Sequence, residues 1–182
     1  MDRAKRGAKK LDKKTKIRKH PILVELANLI IKLSLIAVVL VAIFTFIFGL
    51  FRVNDNTMLP NVAPGDLVMF YRLDKEYTVS ETVVFSYKGQ KRTARIVALP
   101  GDTVEIDKDG LKVNGNLQYE PMVFKKTLAV KEGIKYPVKL KSDEYFILSD
   151  NREKSEDSRL FGPIKKSSIS GKVFTLLRRR NI

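Results

Sequence analysis

TVEIDKDGLKVNGNLQY, Thr103–Tyr119, decides the fold class. Three short β-prone runs, Thr103–Ile106, Leu111–Val113 and Leu117–Tyr119, are separated by Asp109-Gly110 and Asn114-Gly115. Asp-Gly and Asn-Gly supply the positive φ angles that tight hairpins need, so this stretch reads as a meander of antiparallel strands. Similar runs lie on either side. Asp66–Tyr71 follows a Pro64-Gly65 turn, and Thr82–Tyr87 leads through Lys88-Gly89 into Arg92–Ala98. Glu144–Leu148 and Lys172–Leu177 complete the set. The expected fold is mostly β: an antiparallel, curled sheet or small barrels over residues 52–182. Residues 121–143 read as an irregular excursion whose six lysines (Lys125, Lys126, Lys131, Lys135, Lys139, Lys141) form a solvated face.

Upstream the pattern changes. Leu33–Phe51, LSLIAVVLVAIFTFIFGLF, is nineteen residues without a charge. About twenty apolar residues in a helix cross a hydrocarbon core of ~30 Å. The run is continuous rather than amphipathic, which favours a membrane span over a core helix. Residues 1–20 carry ten Lys/Arg and two acids, net +8. Lys/Arg-rich flanks stay on the cytoplasmic side, so the β domain is expected to face outward. The chain thus divides into a basic cytoplasmic tail (1–21), a transmembrane signal anchor (22–51) and an extracytoplasmic domain (52–182). The expected location is the cell membrane, crossed once.

Composition removes several chemistries. There is no Cys, and the one His, His20, lies in the charged tail. Disulfides, thiolate nucleophiles, a Ser-His-Asp triad and multi-histidine metal sites are excluded. No metal or cofactor is expected. The formal net charge is +15, and residues 52–182 contribute 24 basic against 17 acidic side chains. Beside a membrane anchor this charge points to anionic headgroups rather than to nucleic acid, which is not expected as a partner.

Three stretches remain: Asn56-Thr57-Met58-Leu59-Pro60 with Pro64-Gly65-Asp66; Arg95–Val104, RIVALPGDTV; and Ser149–Arg159, SDNREKSEDSR. In their order and spacing, behind one anchor helix, they resemble the type I signal peptidase family over roughly residues 30–180. The resemblance implies a β-rich domain with a peptide groove, and cleavage of signal peptides by a serine whose proton is taken by a lysine amine.

At the two positions that matter the chain departs from that pattern. The nucleophile position holds Thr57 and the general-base position holds Ala94. A threonine keeps a hydroxyl, but its β-methyl restricts χ1. An alanine methyl accepts no proton. The position whose hydroxyl helps to bind the oxyanion in some family members holds Asp55, and a carboxylate repels developing negative charge. Neighbouring bases are poor substitutes. Lys91 is an odd number of residues from Ala94, which places it on the other strand face. Arg92 shares the face, but a guanidinium is no base. Lys154 is the remaining candidate that could reach over.

The resemblance also assigns a supporting set. Asp157 and Arg159 match a salt bridge under the active-site floor, and Ser155 matches the hydroxyl that orients the lysine. Asp150 and Asn151 match a turn, and Ser149 replaces the glycine that opens the motif. An Asp150/Asp157 acid dyad is the weaker reading. Met58 and Pro60 read as packing and turn residues. The lips of the peptide groove are expected near Val53–Thr57 and Arg92–Ile96, with Val53, Met58, Arg92 and Ile96 as contact candidates. The resemblance extends to the catalytically degenerate subgroup associated with pilus assembly in Gram-positive bacteria. The resulting expectation is a pseudoenzyme: a membrane-anchored, non-hydrolysing binder or chaperone of exported precursors such as pilin subunits. An active signal peptidase with a Thr nucleophile and a structural membrane scaffold are the alternatives.

Overall fold

The computed structural model describes residues 21–153 and 156–178. The basic tail, Lys154 and Ser155 therefore lie outside the described residues. The chain divides near Leu40 into a helical unit and a β unit beginning at Val41.

The helical unit is built on α1, Pro21–Ala42, with a proline at its first turn, where the missing N–H removes no bond. None of its residues is buried, and its large apolar side chains are exposed. Together with the π turn Ile43–Ile47 it is long and apolar enough to cross a membrane. The expected anchor ran to Phe51, but Phe48–Arg52 is strand β1. An unbroken apolar run has no period that separates helix from buried strand. Here β2 (Leu67–Tyr71) supplies an antiparallel partner, with Phe48 opposite Tyr71 and Arg52 opposite Leu67.

The β unit holds two antiparallel sheets. The larger contains β1, β2, β3 (Thr82–Tyr87), β4 (Gln90–Ala98), β9 (Glu144–Leu148), β10 (Ile164–Lys165) and β11 (Ile169–Leu177). Their spatial order is β1-β2-β11-β3-β4-β9-β10, so the last long strand lies inside the sheet, between β2 and β3. The smaller sheet is the meander: β5 (Thr103–Asp107), β6 (Gly110–Val113) and β7 (Asn116–Leu117), joined by β8 (Val138–Lys139) in the order β7-β6-β5-β8. Asn114 and Gly115 take φ of 51° and 78°, as a two-residue hairpin requires. The first turn is displaced from the expected Asp109-Gly110. Asp107 pairs with Gly110, so Lys108 and Asp109 form the turn. The excursion 121–143 is irregular apart from β8.

Apolar side chains gather in three clusters. One lies around Val83, Phe85, Ala94, Ile96 and Ile147, and a second links β5, β6 and β9 through Val104, Leu111 and Phe146. The third joins Val53, Met58 and Val62 of the loop after β1 to Val68, Phe70 and Val84. That third cluster pins the loop carrying Thr57.

Candidate functional site

The loop between β1 and β2 is closed at its neck. Val53 N–H donates to the Asp66 carbonyl at 2.9 Å and Gly65 N–H to the Val53 carbonyl at 2.7 Å. With Val53 and Met58 buried beneath, the polar residues between them are turned outward. There the Thr57 hydroxyl donates to Asp55 Oδ1 at 2.6 Å, and the Thr57 amide donates to the same oxygen at 3.1 Å. The carboxylate thus holds the hydroxyl that would have to attack. No lysine amine bonds to Thr57 among the described residues.

Thr57 and Asp55 line a groove of about 530 Å³ together with Phe51, Asn54, Gln90, Lys91 and Arg92. The opposite wall is the beginning of β4. Lys91 and Arg92 both line the groove, which runs across the start of β4; Lys91 lies toward Phe70 of the third cluster while Ala94 packs in the first, on opposite faces as their odd spacing requires. Arg92 is paired with Glu156 at 3.0 Å. Lys91 Nζ lies 5.7 Å from the centre of the Phe70 ring.

Ala94 does not reach this groove. It is fully buried, opposite Val83 on β3, in the apolar cluster with Phe85, Ile96 and Ile147. Three of the expected peptide contacts need the same correction. Val53, Met58 and Ile96 are completely buried and belong to the core, leaving Arg92 as the one of the four that lines the groove. Alternation along a loop or strand cannot say whether an apolar face meets a groove or another sheet; packing decided it.

The third motif forms the floor. Asp157 is fully buried and accepts from Arg159 Nε and Nη2, both at 2.9 Å, and from the Ser149 amide at 3.1 Å. It also caps the short helix α2, Ser158–Phe161, through the Arg159 amide. Asp150 makes no dyad with it. Arg95 grips Asp150 in a bidentate pair, Nε to Oδ1 at 2.9 Å and Nη2 to Oδ2 at 2.6 Å, and Asn61 adds a bond at 2.8 Å. The Asp150 amide meets Met58 Sδ at 3.5 Å, and the Asn151 amide donates to the Thr57 carbonyl at 2.8 Å. The motif therefore holds the Thr57 loop in place. Ser149, in place of glycine, is not in the left-handed region, so a side chain costs nothing there.

Sequence reasoning missed two partners in this floor. Arg95 was quoted within its motif but given no role. Arg152, also within a quoted motif, is buried and donates through Nε to the Ser149 carbonyl at 2.7 Å and through Nη1 to the Thr127 hydroxyl. Its Nη2 lies 2.8 Å from Glu120 Oε1 without the alignment of a hydrogen bond. Burial pushes the Arg152 guanidinium below its ordinary pKa, and Glu120 opposes that shift. These bonds tie the excursion to the motif, and an arginine run in sequence gives no hint of a partner thirty residues away. Replacing Arg95 by lysine removes the two-pronged bond and leaves Asp150 with a single point charge. Arg95→Lys is expected to lose about 1–2 kcal/mol of stability, read from the urea midpoint; a loss within a few tenths would show that the fork is not what holds Asp150.

Among the described residues, the side chain bonded to the Thr57 hydroxyl is the Asp55 carboxylate. Among the described residues there is no cluster that could hold a metal ion. The family model "Signal peptidase, peptidase S26" matches residues 26–177. The chain is 33% identical to Signal peptidase I of Bacillus amyloliquefaciens over 151 residues, covering 77% of this chain and 82% of that protein. It is 30% identical to Signal peptidase IB of Staphylococcus aureus (strain N315) over 167 residues, 82% of this chain and 87% of the other. A crystal structure of a signal peptidase I from Enterococcus faecalis V583 aligns with 28% identity and a TM-score of 0.46, covering 55% of this chain and 97% of that one.

Proposed function

This chain belongs to the signal peptidase family, peptidase S26, and we propose that within it the protein is a membrane-anchored binder that no longer hydrolyses. Its clients are exported precursor proteins, pilin subunits among them, held in the groove between the Thr57 loop and β4. The tail lies in the cytoplasm and the β unit outside. The observation that carries this reading is the Thr57 hydroxyl bonded to Asp55 while Ala94 lies buried among apolar side chains. A carboxylate is a weaker base toward an alcohol than the lysine amine it would have to replace. The same charge would oppose the oxyanion that attack creates. Loss of nucleophile or base in a serine hydrolase costs on the order of 10⁶ in turnover.

Beside the groove, β4 extends past the end of its pairing with β9, and Lys91 is exposed there while Thr93 is buried. Tyr87 pairs with Gln90 across the Lys88-Gly89 turn, and pairs alternate from there, so the backbone N–H and C=O of Lys91 and Thr93 point away from β3. On that side β9 begins to pair only at Arg95. An extended peptide can add to a strand in this way.

The test incubates the full chain in detergent micelles with a signal-peptide substrate. The expected result is no cleavage above that of Thr57→Ala. Cleavage that Thr57→Ala abolishes would establish a threonine peptidase instead. A photo-crosslinker in place of Asn54 is expected to capture added precursor; failure to capture any precursor would favour a scaffold without a working groove.

A further inference from the structure

We infer that the groove selects extended segments carrying a side-chain carboxylate opposite Lys91; this rests on the binder reading above and names its client chemistry. Three charged side chains line the groove: Asp55, Lys91 and Arg92. Two are already engaged. Asp55 accepts two bonds from Thr57, and Arg92 is paired with Glu156. Lys91 is exposed and has no ion pair among the described residues; its ammonium rests over the face of Phe70.

Position gives this cation its meaning. Lys91 lies on the stretch of β4 that precedes its pairing with β9, which begins at Arg95, and it is exposed there. A strand laid along that stretch brings one of its residues directly beside Lys91, with Cβ atoms about 5 Å apart. A carboxylate there forms a cross-strand ion pair, a neutral residue forms none, and a cation is repelled. The wider field acts in the same sense, because residues 52–182 carry 24 basic against 17 acidic side chains and attract acidic segments before contact. Lysine also suits an exposed edge that must avoid indiscriminate pairing, since an unmatched client must desolvate or displace the ammonium.

Fluorescence anisotropy on the full chain in micelles tests this. The probes are dye-labelled extended peptides of alternating Ser and Val, capped at both ends so that a single Glu supplies the only carboxylate. Gln and Lys versions serve as comparisons, with the residue moved along the peptide. One Glu position is expected to bind about fivefold tighter than its Gln counterpart, with the Lys version weakest. The difference shrinks at about 0.5 M salt, where the Debye length falls below ~5 Å. Lys91→Glu reverses the order; the side chain is exposed, so losing its contact with the Phe70 ring shifts the urea midpoint only slightly. Binding that ignores charge, or a preference that survives Lys91→Glu, overturns this inference and leaves the binder reading standing. No binding of any peptide overturns both.

Discussion

Asp157→Ala is expected to cost about 3–5 kcal/mol of folding stability, the largest effect of any single polar substitution in the floor of the site. The carboxylate is fully buried and accepts four bonds, three from Arg159 and one from the Ser149 amide. Truncation leaves the Arg159 guanidinium buried, with the Arg152 and Leu128 carbonyls as its remaining acceptors. It also uncaps α2 and frees an amide at the start of the motif. An uncompensated buried charge is the costly outcome; the pair itself contributes far less than its removal costs. Urea unfolding of the full chain in micelles, followed by tyrosine fluorescence, should show the midpoint falling by more than about 1 M. Asp157→Asn, which preserves shape and one acceptor, should fall between wild type and Ala. A loss under about 1 kcal/mol for Asp157→Ala would mean that Arg159 finds water or another acceptor, and that the motif is not a brace.

Gly171→Ala is expected to cost about 3 kcal/mol, for a purely steric reason. Gly171 lies on β11, an interior strand between β2 and β3, where the ladder to β3 shifts register between Ile169 and Gly171. A Cβ there would sit 2.9 Å from the Tyr71 carbonyl carbon and from Phe70 Cδ2, and closer still to the Tyr71 oxygen. A carbonyl in a neighbouring strand cannot swing aside as a side-chain tip can. Gly89→Ala makes the useful contrast. Its Cβ meets nothing within 4 Å, but the turn holds φ at +77°, so the strain of the left-handed region, about 1 kcal/mol, is the whole cost. Equal midpoints for the two variants would refute the steric argument.

Much of this molecule is legible without coordinates. The alternating runs around Thr103–Tyr119 and the Gly-bearing turns between them define strands, because hairpins need positive φ and strands a two-residue period. The displaced turn at Lys108-Asp109 shows the limit of that rule: two adjacent turn-formers leave the register ambiguous by one residue, and side-chain packing selects. The site was legible as identities. Thr57, Ala94, Asp55, Asp157 and Arg159 occupy motif positions, and the absence of an amine at residue 94 needs no structure to see.

Which side chains share a groove was not legible. Val53, Met58 and Ile96 fit an apolar peptide contact as well as a core, and only the stacking of the loop on β2 and β3 shows them buried. That Lys91 and Arg92 both line one groove follows from its crossing the start of β4, which parity along the strand does not reveal. The partners Arg95–Asp150 and Arg152–Glu120 stand 55 and 32 positions apart, a separation at which charge pattern carries no pairing signal.

By itself the sequence determined the apolar helix, the antiparallel class, the family and the alanine at residue 94, since each depends on local period, on motif order or on the identity of one residue. Tertiary structure alone decided where the helix yields to β1, which hydroxyl meets which carboxylate and where β9 begins to pair with β4. Those are contacts between distant segments, and their energies depend on burial and on distances of a few ångströms that no linear pattern encodes.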